Sequence, residues 1–153
     1  MTKSTVDTKR AEAVAMVDRD ARVETVMHWP AVSIEADCSA AVALRELLAC
    51  GIRHLVVVDS KGRGVGVLAD RILAACWAEH PDALERTRVD GLLGERWPFV
   101  GAEATIAEAA TVMRYCGLDA VAVLDRDGRP AGVLTTTDLI NIIAGGAPTR
   151  PVE

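Results

Sequence analysis

An internal duplication dominates this sequence. Displaced by 66 residues, the segment Arg22–Ile72 overlies Arg88–Asp138 without a gap, and 14 of the 51 paired positions are identical. The identities fall on structural punctuation. Cys50-Gly51 pairs with Cys116-Gly117, Asp59 with Asp125, Gly62-Arg63 with Gly128-Arg129, and Gly66-Val67-Leu68 with Gly132-Val133-Leu134. Turn and cap residues recur in order only when the backbone they shape recurs, so one supersecondary unit is built twice.

Each copy reads as the same series of elements. A short extended piece comes first, Val32–Ile34 and Phe99–Val100. A helix follows over Ser39–Cys50 and Thr105–Cys116, with Ser39 and Thr105 as N-caps. Leu44, Leu47 and Leu48 form one apolar stripe; Ile106, Ala109, Ala110 and Met113 form the other. Gly51 and Gly117 stand where a left-handed C-cap is needed. The runs His54–Val58 and Ala120–Leu124 read as buried strands. Asp59–Gly62 and Asp125–Gly128 are hairpin turns that lead into Val65–Leu68 and Ala131–Leu134. A closing helix starts near Asp70 and near Thr136.

One copy cannot cover its own sheet. Two copies related by a pseudo-twofold bury their sheets against each other, so the pair forms one cooperative α/β (α+β) module. The expected organisation is an N-terminal extension over 1–21, repeats over 22–78 and 88–144, a linker over 79–87 and a flexible tail over 145–153. Ala11, Val14 and Val17 give the extension one helical face, over Thr8–Asp18. The joining segment Ala78–Arg88 carries Pro81 and many charges, and reads as a short exposed turn with some helix.

Composition narrows the function classes. Half the residues are hydrophobic but only 3% are aromatic, so the core is aliphatic. A net charge of −5 argues against nucleic acid or an anionic membrane as partner. No apolar run has the length of a membrane span, and the start lacks the apolar centre of a secretory signal. The four cysteines show no metal-like spacing and read as reduced thiols of a cytoplasmic protein. Cys50 and Cys116 are expected to be small buried hydrophobes. His28, His54 and His80 are dispersed, which gives no metal-ligand pattern. There is no G-x-S-x-G, P-loop or dinucleotide fingerprint, so the chain is not expected to be an enzyme. Trp29-Pro30 and Trp97-Pro98 precede the first strands two residues out of register and are expected to seal the core or an interface.

A helix, then G-[IL]-x-x-[LV]-x-V-[VL]-D-x-x-G-R-x-x-G-V-L, then [ST]-x-x-D, resembles the CBS domain. The tandem arrangement over Val23–Ala144 resembles a CBS pair, or Bateman module. The resemblance implies clefts between the repeats that take AMP, ADP, ATP or S-adenosylmethionine, with no required cofactor. It also implies a homodimer that regulates a partner protein and catalyses nothing. Function still has to be argued from the site.

The resemblance assigns the nucleotide-reading element to Gly132–Asp138. Thr135 would hold phosphate and Asp138 the ribose hydroxyls, with Thr136 and Thr137 adding contacts. A carboxylate is an acceptor-only group suited to a diol, and a helix N-terminus suits an anion. Alternatively Thr135 or Thr136 simply caps the helix and Asp138 sits in its first turn. The first copy departs from the pattern, with Ala69 and Ile72 at the matching positions, while Arg71 remains as a candidate phosphate contact. The resemblance places the other pocket walls at Phe99, Val100, Gly101, Asp119, Ala120 and Val121. One site per chain is therefore expected. The competing reading is a ligand-free dimeric interaction scaffold with degenerate sites. A central-strand Pro usual in the family is replaced by Val56 and Ala122.

Overall fold

Two three-stranded sheets carry the duplication in the computed structural model, which describes residues 18–145. The helix expected from Thr8 lies outside the described residues except for Asp18, as does the tail beyond Gly145. The first sheet contains β1 (Ser33–Glu35), β2 (His54–Val58) and β3 (Gly64–Ala69). The second contains β4 (Phe99–Gly101), β5 (Ala120–Leu124) and β6 (Pro130–Thr135). In each, the first strand runs parallel to the central one and the third returns antiparallel. Helices α1 (Ala40–Cys50) and α4 (Ile106–Cys116) make the crossovers; α2 (Asp70–Glu79) and α5 (Thr136–Ile143) close the copies. The linker holds the four-residue α3 (Ala83–Arg86), whose Leu84 is buried. The architecture is α+β.

The shared punctuation does the same work twice. Ser39 and Thr105 cap α1 and α4 through their side chains, and Thr105 forms a full capping box with Glu108. Gly51 and Gly117 both adopt φ +64°, a left-handed cap that L side chains resist. Asp59 Oδ1 accepts N–H bonds from Lys61 and Arg63, and Asp125 Oδ1 accepts the equivalent pair from Asp127 and Arg129. These bonds hold the turn before each third strand.

Strand alternation sends side chains to two different cores. Leu55, Val57 and Leu68 face α1 and α2, as Val121, Val123 and Leu134 face α4 and α5. Val56, Val58 and Val67 point the other way and meet Phe99, Ala120 and Ala122 of the second sheet. A Gly64 N–H to Gly128 carbonyl bond of 2.9 Å also joins the copies.

The segment before each repeat's first strand packs on the other repeat. Val23, in a 3₁₀ turn over Val23–Thr25, lies in the core of the second copy. Val89, in the matching turn over Val89–Leu92, lies in the core of the first. The Val23 N–H bonds the Ala104 carbonyl and the Val89 N–H bonds the Cys38 carbonyl, both at 2.8 Å. In return, the Ala21 and Thr87 carbonyls accept the first N–H groups of α4 and α1, donors that a helix cannot satisfy itself. We call these segments the first and second leaders.

Two local expectations, for Leu48 and Cys50, are corrected. Leu48 is 74% exposed, because Ala40, Ala43 and Leu47 form the seam against the sheet and Leu48 lies about 100° beyond Leu47. Cys50 is exposed at the last position of α1, whereas Cys116 is half-buried. Trp29 and Trp97 are 64% and 58% exposed and do not enter the core; Trp97 instead lies against the Phe99 ring, 4.5 Å between centroids.

Candidate ligand clefts

Two pseudo-equivalent places exist where a third strand passes into a closing helix beside the opposite leader. At the second copy, Thr135 is the N-cap of α5. Its hydroxyl oxygen accepts the Asp138 N–H at 3.2 Å and donates to Asp138 Oδ2 at 3.0 Å, while the Thr135 N–H donates to that same oxygen at 2.8 Å. Asp138 Oδ1 lies 2.5 Å from Nε2 of His28. Asp138 is 4% exposed, so both carboxylate oxygens are engaged inside the protein.

The first leader delivers His28 to this place. The backbones of His28 and Val133 exchange two N–H to carbonyl bonds of 2.9 Å, adding a short antiparallel bridge beside β6. Gly132 permits the approach. A Cβ there would lie 2.5 Å from Met27 Sδ and 2.7 Å from the His28 carbonyl oxygen.

The remaining second-copy candidates scatter. Thr136 is half-buried and donates its N–H to the Asp119 carbonyl; Thr137 is exposed. Ala120 pairs with Thr135 and faces the other sheet, whereas Val121 is buried toward the helices. Val100 and Gly101 pair with Val123 and Leu124. Gly101 therefore lies about 13 Å along the sheet from the level of Thr135, at the strand rise of roughly 3.3 Å per residue. Because β4 is parallel to β5, its start is the end nearer Thr135. The structure brings Thr135, Asp138 and Ala120 together but not Val100 or Gly101.

At the first copy the equivalent place is open. A cleft of about 510 Å³ lies between Arg71 and Ile72 at the start of α2, the second leader at Leu93–Arg96, and the end of α4 at Cys116–Leu118. The Arg71 guanidinium donates to the Gly117 carbonyl and that of Arg96 to the Tyr115 carbonyl. Both cations thus sit at the negative end of α4. Arg96 also lies over the Tyr115 ring, 4.5 Å from its centroid. Burial pushes the Cys116 thiol up, against the opposing effect of the Arg96 charge, so it stays neutral.

Sequence reasoning singled out Arg71 but missed Arg96 and His28. The available signal was the two-residue offset of the Trp-Pro pairs. Four residues separate Trp29 from Ser33, but only two separate Trp97 from Phe99, so the leaders cannot approach their sheets alike. A further grouping was also invisible as spacing: Glu35, Asp37 and Cys38 bring ligand-type atoms within 4.8 Å of one another in the loop after β1.

The model of the CBS domain family matches residues 23–76 and 93–145. The chain belongs to the CBS domain family. A CBS domain-containing protein of Dictyostelium discoideum is 29% identical over 130 residues, covering 79% of this chain and 90% of that one. A solved CBS domain pair in complex with 5′-methylthioadenosine and S-adenosyl-L-methionine superposes with a TM-score of 0.72 at 20% identity, covering 82% of this chain and 97% of that one. The CBS domain of a bacterial CNNM/CorC family Mg²⁺ transporter, in complex with ATP, superposes with a TM-score of 0.73 at 19% identity, covering 93% and 99%. These neighbours share the fold. Within this CBS pair the two clefts are unequal: one is filled by His28 and Met27, the other lies open under two guanidinium groups. No helix among the described residues is long and apolar enough to cross a membrane.

Proposed function

We propose that this CBS pair is a non-catalytic regulatory module, a cytoplasmic homodimer that binds an adenosine-type ligand between its repeats and signals to a partner protein by changing conformation. The candidates are AMP, ADP, ATP and S-adenosylmethionine. The observation that carries the reading is the open cleft of about 510 Å³, which both repeats line and which Arg71 crosses to reach Gly117. That volume suits a small-molecule ligand. Ligand that binds there contacts both repeats and so favours one relative placement of them. The adenosine ligands and ATP held by the two structural neighbours support the chemistry.

Arg71 is assigned to ligand phosphate in this cleft. Thr135, Asp138 and Ala120 form the second half-site, in which His28 stands. Calorimetric titration with each of the four ligands tests the reading. One ligand per chain is expected, and Arg71→Ala is expected to weaken binding by about tenfold, the scale of one charge-assisted hydrogen bond. Absence of heat from all four at millimolar concentration overturns it.

The closure of Asp138 by His28 and the exposure of Ile140 and Ile143 on α5 favour a second reading. On that reading the pair is a ligand-free dimeric scaffold, and a defined partner binds equally with and without every nucleotide.

A further inference from the structure

We propose that the Arg71 cleft selects phosphate-bearing nucleotides by their charge and does not discriminate ribose from 2′-deoxyribose. This deepens the preceding reading and rests on it. Arg71 and Arg96 enter one cleft from different repeats, at the start of α2 and at the end of the second leader. Neither has an ion pair to a described carboxylate. Each spends one donor on a backbone carbonyl, and a guanidinium has five N–H groups in a rigid fork, so donors remain for phosphate. The carbonyls also fix where the two charges sit.

The other walls offer little to a sugar. A diol is best read by a carboxylate, which accepts from both hydroxyls. The side chain that follows Arg71 is Ile72, and Leu92, Leu93, Pro98 and Leu118 are apolar. The lining carboxylate, Glu95, is exposed. The buried carboxylate of the duplicated element is Asp138, which belongs to the other half and is held by His28 and Thr135. The cleft therefore combines apolar walls for a flat base with two fixed cations for its phosphate. S-adenosylmethionine, whose sulfonium is cationic, meets like charge there.

The test is titration of the full chain, at low salt, with AMP, 2′-deoxy-AMP, adenosine, S-adenosylmethionine and inorganic tripolyphosphate. AMP and 2′-deoxy-AMP are expected to agree within about threefold, with adenosine and S-adenosylmethionine weaker by about tenfold or more. Arg96→Gln is expected to weaken AMP about tenfold while leaving adenosine unchanged, which a general disturbance of the junction would not do. Glu95→Gln, at an exposed side chain of the lining, is expected to tighten AMP about twofold. A tenfold preference for AMP over 2′-deoxy-AMP, or for S-adenosylmethionine over AMP, overturns this inference and leaves the adenosine-ligand reading standing. Tripolyphosphate bound through Arg96 without any adenosine ligand overturns both the adenosine reading and nucleotide selection, and leaves a cleft for phosphate alone. No binding by any of the five overturns both.

Discussion

His54 begins β2, where burial depresses its imidazole below the ordinary value of 6.5, partly opposed by the Asp70 carboxylate. The folded chain therefore binds fewer protons than the unfolded chain between the depressed value and 6.5. Stability from this residue is fully present above that window and is lost as pH falls through it. Urea midpoints are expected to drop more between pH 7.5 and pH 5.5 in the wild type than in His54→Gln. Equal drops would assign the acid sensitivity elsewhere. Asp59 and Asp90 are held below 3.8, by backbone N–H donors in one case and by Arg88 in the other. Their stabilising effect is lost only at more acid pH. In the second copy, Thr135→Ala removes the cap of α5 and is expected to cost about 1 kcal/mol, read as a lowered Tm.

At the scale of elements, the two leaders rest on glycines in the matching Gly-Val-Leu strands. A Cβ on Gly66 would meet the Leu93 side chain at 2.7 Å, whereas one on Gly132 would meet Met27 and also the His28 backbone. Side-chain ends can turn aside; a bridged backbone cannot move without breaking its bonds to Val133. Gly132→Ala is therefore expected to cost about 2 kcal/mol, and Gly66→Ala measurably less. Denaturant titration of the two variants checks the order. The close approach of a leader at both positions accounts for the glycine they share. The sequence displayed the matched glycines, but not the chain that approaches each one.

The whole molecule is interlocked by exchange of leaders. Val23 and Val89 are fully buried in the opposite copy, each worth about 2 kcal/mol of apolar burial. A fragment ending near His80 keeps the first sheet but loses Val89 and Leu84 from its core and exposes Val23. Such a fragment is expected to lack cooperative thermal unfolding by itself and to regain it when mixed with the remaining fragment. A cooperative transition in the isolated first half would show that the exchange is dispensable. The same interlock places Arg71 and Arg96 in one cleft, because the second leader passes the first copy's β3 before it enters β4.

Local chemistry alone specified the duplicated elements. Strand alternation, N-cap hydroxyls, left-handed glycines and Asp turns act over four or five residues, and each was readable as Ser39, Gly51, Asp59 and their partners. The candidate clefts were legible only in part, as Arg71 and the Thr135–Asp138 element. Two pseudo-equivalent sheets offer a leader similar local partners, so the amphipathic pattern cannot say which sheet it covers. Tertiary structure decided that through contacts distant in sequence, such as His28 with Asp138 across 110 residues. It thereby closed the half that carries the carboxylate and left open the half that carries the arginines.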